Sequence, residues 1–185
     1  MKKLEFFYDI VSPYSYIAAT QLGQFEGKAE VIWKPELLGG VFKAIGILGP
    51  AFTVPAKMPY MFKDLQRLSA YYQIPLKIPA NFPANTVTIQ RVLCAASDAE
   101  RPALTHKLYE AYWGQGLDIT NVELLTQLVG AELVAKTQED SVKNALKANT
   151  EEVVARGAFG APTFFLGDDM FFGSDRFFLI QEALK

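Results

Sequence analysis

Apolar residues recur along this chain at two spacings, and the change from one to the other marks out its organisation. Leu4-Glu5-Phe6-Phe7-Tyr8 mixes aliphatic and aromatic side chains of high strand preference and predicts a first strand. Ser12-Pro13 follows as a cap and first-turn pair, opening a helix that runs to about Phe25. Glu30-Val31-Ile32-Trp33-Lys34 predicts a second strand closed by Pro35, so the chain opens as a β-α-β unit with parallel pairing.

From Leu37 to about Gly130 nothing reads as a strand. Met58, Met61, Phe62, Leu65 and Leu68 repeat at helical spacing, as do Leu104, Leu108 and Tyr112. The Pro- and Gly-containing stretches Gly46 to Pro59 and Ile74 to Pro83 predict loops. Helix returns from about Ser141 to Arg156. Thr163-Phe164-Phe165-Leu166 and Met170-Phe171-Phe172, joined across Gly167-Asp168-Asp169, predict a hairpin. Ser174-Asp175-Arg176 then predicts the cap of a last helix carrying Phe177, Ile180 and Leu184 on one face. The order is α/β: a thioredoxin-like fold with a large all-helical insertion. It divides into a discontinuous domain of residues 1–36 and 140–185 and an insertion domain of residues 37–139.

Composition narrows the partners. Half of the 185 residues are apolar and 21% are charged, so burial can offset the cost of ordering the backbone without disulfides or metal. With 18 basic and 20 acidic residues the net charge is −2, which lacks the cationic excess that phosphate backbones attract, and nucleic acid is not an expected partner. The longest uncharged run, Ile10 to Phe25, contains Ser12, Pro13, Ser15, Thr20, Gln21 and Gly23 and falls short of a membrane span. Glu5 and Asp9 interrupt the first apolar stretch where a signal peptide needs a clean one, so a cytoplasmic location is expected. The lone Cys94 forms no internal disulfide, and with one histidine, His106, no metal site of nitrogen and sulfur ligands is expected.

A thioredoxin-like fold does its chemistry at the turn after the first strand and at a proline before the third. The turn reads Ser12-Pro13-Tyr14-Ser15, with serines where a redox member carries the cysteines of C-x-x-C, which excludes dithiol exchange through that motif. The proline is Pro162, in Gly160-Ala161-Pro162-Thr163. Taken singly, Ser12 is an N-cap before an N1 proline, Pro162 a strand-entry proline and Lys57 a surface lysine.

Phe7-Tyr8-Asp9-Ile10-Val11-Ser12-Pro13-Tyr14-Ser15-Tyr16 opens a longer series of motifs. Val54-Pro55-Ala56-Lys57 with Tyr60, Asp64 and Arg67 comes next, then Phe82-Pro83-Ala84-Asn85-Thr86. Arg156-Gly157-Ala158-Phe159-Gly160-Ala161-Pro162-Thr163-Phe164 and Phe172-Gly173-Ser174-Asp175-Arg176 close it. In this order and spacing the chain resembles, almost end to end, the glutathione-dependent branch of the DsbA-like thioredoxin superfamily: 2-hydroxychromene-2-carboxylate isomerases and kappa-class glutathione transferases.

The resemblance implies glutathione as cofactor, its thiolate held by Ser12 at the helix N-terminus and adding reversibly to an electrophilic small molecule, an intermediate of aromatic degradation. It implies a cis bond before Pro162, with the Ala161 main chain pairing with glutathione. Lys57 is implied for a glutathione carboxylate, Ser174 and Asp175 for the γ-glutamyl end and Lys43 for the electrophile, while Asn85 either caps a helix or orients the substrate and Arg176 either pairs with a substrate carboxylate or sits on the solvated face of the last helix. A homodimer is implied as well. One departure stands out: where the family has Asn in a Gly-Asn pair, this chain has Leu48 followed by Gly49-Pro50. The expected function is a hydroxychromene-carboxylate type of isomerase, with a kappa-like transferase as alternative. A non-redox thioredoxin-like binding module is the reading from another class, and disulfide exchange would need Cys94 to reach the turn.

Overall fold

The computed structural model describes the backbone of residues 1–185 and every side chain except those of Pro50 and Ala51. The chain runs β1 (Lys2–Tyr8), α1 (Pro13–Gln21), a short 3-10 turn (Leu22–Phe25), then β2 (Ala29–Pro35). Helices follow without interruption by a strand: α2 (Leu38–Ala44), α3 (Pro50–Thr53), α4 (Lys57–Tyr72), α5 (Val87–Ala95), α6 (Arg101–Tyr109) with a π turn over Glu110–Gly114, α7 (Val122–Val129), α8 (Ala131–Lys136) and α9 (Asp140–Ala155). β3 (Thr163–Leu166), β4 (Asp169–Phe172) and α10 (Phe177–Leu184) complete it. This is the thioredoxin-like order with its helical insertion.

The four strands form one sheet in the order β2-β1-β3-β4. β1 runs parallel to β2, its connection crossing over through α1, and antiparallel to β3. Its residues alternate between the faces of the sheet. Leu4, Phe6 and Tyr8 point into the larger core with Phe164 and Trp33, while Phe7 and Phe165 enter a smaller one with Val41, Val153 and Ala158. Phe6 stacks on Phe164 at 5.0 Å and meets Trp33 edge-on at 5.2 Å, which fixes the register of three strands around one ring. Among the described residues no helix is long and apolar enough to cross a membrane.

Two local expectations are corrected. Gly46 to Pro59 is not all loop: Pro50, which cannot continue a preceding helix but suits a first helical turn, opens α3, and α4 already begins at Lys57. Ser174 does not cap the last helix. The chain makes a turn at Ser174 and Asp175, and Arg176 occupies the N-cap position of α10 with no side-chain cap bond. The bond before Pro83, for which the sequence reading proposed nothing, is cis, as is that before Pro162.

Candidate active site

Ser12 is the N-cap of α1, in extended backbone conformation, and its Oγ accepts a hydrogen bond from the Ser15 N–H at 3.1 Å. The same hydroxyl donates to the carbonyl of Ala161 at 3.0 Å. Pro13 has no N–H, so the free donor of this first turn is Tyr14 N–H, which has no hydrogen-bond partner among the described residues. Ala161 N–H is equally unpartnered there. The Ser12–Ala161 bond thus joins segments 149 residues apart at the N-terminus of α1, where the helix dipole places positive potential, and Ser12, Tyr14 and Ala161 line one cleft.

The turn is braced from beneath. Asp9 is fully buried, and its carboxylate accepts from Val11 N–H at 3.1 Å, Thr86 Oγ1 at 2.7 Å and Leu38 N–H at 2.9 Å, tying the turn to α2 and α5. Burial raises its pKa to about 6 against the pull of those donors. The Glu36 carboxyl, also buried and without a hydrogen-bond partner, is pushed well above the ordinary carboxyl range by burial and then by Asp9. Gln90 on α5 donates through Nε2 to the carbonyls of Tyr8 at 2.8 Å and Glu36 at 2.7 Å and accepts from Ile10 N–H. The π turn contributes Trp113, whose Nε1 donates to the Ile10 carbonyl at 2.7 Å.

Above the turn opens a cleft of about 670 Å³ with Ser12, Lys57, Asn85 and Ala161 in its wall. Asn85 Oδ1 accepts from Val87 N–H, so it braces the start of α5 and leaves its amide N–H groups to the cleft. Tyr14 also lines the cleft. Burial, its bond to Asp64 at 3.0 Å and nearby charges that include Asp175 hold its phenol well above the ordinary range, while Asp175 itself stands outside the cleft lining. Ser174 is buried next to it. Two of the residues expected near the electrophile are not brought together with these. Lys43 lies on the exposed face of α2, outside the cleft lining, and Arg176 is ion-paired with Asp175 at the surface. Cys94, in α5, is half-buried in a separate pocket with Arg101, and burial pushes its thiol up to about 11, unfit as a nucleophile.

The sequence reading assigned no role to Asp9, Glu36, Gln90 or the aromatic wall. For Asp9 there was a signal: a charge inside an apolar stretch, which is stable only where donors await it.

The chain matches the family model described as the DSBA-like thioredoxin domain over residues 3–185. It is 31% identical over 193 residues to the 2-hydroxychromene-2-carboxylate isomerase of Pseudomonas putida, covering 98% of this chain and 93% of that one. It is 32% identical over 205 residues to glutathione S-transferase kappa 1 of Rattus norvegicus, covering 98% and 90%. A solved structure of a 2-hydroxychromene-2-carboxylate isomerase superposes with a TM-score of 0.85 at 28% identity, covering 98% of this chain and 94% of its own.

Proposed function

From the premise that the chain belongs to the family of DSBA-like thioredoxin domains, in the branch of 2-hydroxychromene-2-carboxylate isomerases and kappa glutathione transferases, we propose that it is a glutathione-dependent enzyme acting on a small electrophile. The observation that carries this reading is the hydrogen bond between the Ser12 hydroxyl at the start of α1 and Ala161 before the cis proline, both in the wall of one cleft with Tyr14 and a cation, Lys57.

The donor set fits glutathione. Lys57 would take a carboxylate, the Ala161 main chain would pair with the cysteinyl main chain, and Ser174 and Asp175 would hold the γ-glutamyl end. Bound glutathione supplies a nucleophilic thiolate that adds to an electrophilic carbon, reversibly in an isomerase and with release of the conjugate in a transferase. The turn's part is to favour the anion. A free thiol has a pKa of about 8.5, and lowering it by about two units takes roughly 2.7 kcal/mol. A helix N-terminus contributes about 0.3–1 kcal/mol and a hydrogen bond to a charged group about 1.5–3 kcal/mol, so the dipole and the Ser12 hydroxyl together reach that size. To donate there, Ser12 rotates its hydroxyl away from the Ala161 carbonyl, which then accepts from the ligand's main chain.

Isomerase and transferase share this site and differ in whether the conjugate is released. The same reading carries a cytoplasmic homodimer. Calorimetric titration with glutathione tests the proposal: saturable binding in the millimolar range or tighter is expected, and no heat in that range would end it.

A further inference from the structure

The described residues of the cleft wall hold two ionisable charges, the buried Asp9 and Lys57. Lys43 and Arg176 stand outside that wall, and Arg176 is already paired. On the proposed glutathione reading, on which this inference rests, Lys57 is taken by a glutathione carboxylate. No cation then faces the electrophile, and the charge nearest to it from below is negative. A carboxylate-bearing substrate would shed its water without gaining an oppositely charged partner.

Beside neutral polar groups such as Ser12, Tyr60 and Asn85, the wall carries large apolar side chains that are incompletely buried. Leu48, 81% exposed, and Phe52 of α3, 48% exposed, both line the cleft. From the sheet side come Phe159 and Phe172, 46% and 40% exposed, their rings 4.5 Å apart and tilted by 48°. Gly160 keeps this side open, since a Cβ there would lie 3.0 Å from the Phe172 ring. Large apolar side chains left in water around one cleft gain most when a flat apolar ligand covers them. Neutral donors in this wall, the Asn85 amide and the Tyr60 hydroxyl among them, suit a neutral acceptor such as a carbonyl oxygen.

We propose that the electrophile this cleft selects is an uncharged aromatic compound, carrying at most a neutral acceptor, and that a carboxylated aromatic is discriminated against. Leu48 and Phe172 are the residues that set this choice.

The test compares 2-naphthol with 2-naphthoate, which differ in one ionised carboxylate at neutral pH, by fluorescence titration of the whole protein in saturating glutathione. Naphthol is expected to bind about tenfold or more tightly than naphthoate, and Leu48→Asn and Phe172→Ala each to weaken naphthol by about threefold or more. Equal or tighter binding of naphthoate, or naphthol binding that neither substitution moves, overturns the inference. Failure of the glutathione reading shows separately, as absence of heat on adding glutathione. The same pair of ligands is then compared on Lys57→Met, where the preference for naphthol must persist or the inference falls with it.

Discussion

Ser12 and Ala161 are joined by a hydrogen bond from the serine hydroxyl to the alanine carbonyl, 3.0 Å long and spanning 149 residues of chain. A serine hydroxyl has one hydrogen, so in this state it is spent on Ala161 while its lone pair caps α1 through Ser15 N–H. The hydroxyl is therefore oriented by both halves of the site before any ligand arrives, and released by a ligand that takes over the Ala161 carbonyl.

Replacing it separates structure from chemistry. Ser12→Ala loses the cap and the Ala161 bond, which costs about 1–2 kcal/mol of stability and leaves the protein folded. Turnover with glutathione and an aryl electrophile is expected to fall about 100-fold, more than a loss of that stability produces in a folded enzyme. Thermal melts and steady-state rates on the same sample check this; unchanged turnover would leave Ser12 as a cap alone.

Lys57 opens α4 and is exposed. Lys57→Met is expected to change unfolding stability by no more than about 0.5 kcal/mol. Glutathione affinity should fall about tenfold, and its dependence on salt should weaken with it. Calorimetric titration at two ionic strengths measures both.

The buried carboxyls set a pH dependence of stability. Asp9 and Glu36 have folded pKa values above their unfolded ones, Asp9 rising from 3.8 to about 6 and Glu36 well above 4.5. Groups of this kind favour the folded state in their protonated form: the contribution is complete below the unfolded pKa and is lost as pH rises through the folded one. For Glu36 the loss begins near 4.5 and extends upward, because its ionised form has no hydrogen-bond partner. Glu36→Gln removes that titration. The variant should match the parent near pH 4 and exceed it in stability at pH 8, by urea unfolding at both; a difference independent of pH would contradict the assignment.

Gln90 bridges the ends of β1 and β2 from α5. Gln90→Leu is close in volume but strands the Glu36 carbonyl and Ile10 N–H in the core and leaves the Tyr8 carbonyl with Glu36 N–H as its one donor. A loss of about 3 kcal/mol or more is expected, from chemical denaturation, with turnover at a permissive temperature lowered as the floor beneath Ser12 loosens.

Local pattern carried the fold a long way. The strand-turn-helix at Leu4 to Phe25, the hairpin at Thr163 to Phe172 and the long helix ending near Arg156 lie where alternation, a Ser-Pro start and turn residues place them, because those preferences act between residues a few positions apart. The same local reading failed at Ser174. A serine before an apolar helix satisfies the sequence rule for a cap, yet the turn that buries Ser174 moves the helix start to Arg176, and nothing adjacent in sequence reports it.

The serines at 12 and 15 and the Ala161-Pro162 pair were legible as a non-redox thioredoxin-like site from the chain alone, since chemistry excludes a dithiol where no cysteine stands. Tertiary structure alone decided what surrounds them. Lys57 and Lys43 are alike as sequence, but only Lys57 reaches the cleft, because α4 begins at its wall while Lys43 sits on the outer face of α2. Asp9, Thr86 and Leu38 meet through one carboxylate across separations of 29 and 77 residues, and Leu48 from the helical insertion shares one cleft with Phe172 of β4. Contacts of that range depend on how the insertion helices dock on the sheet, a property of the packed core that no window of sequence contains.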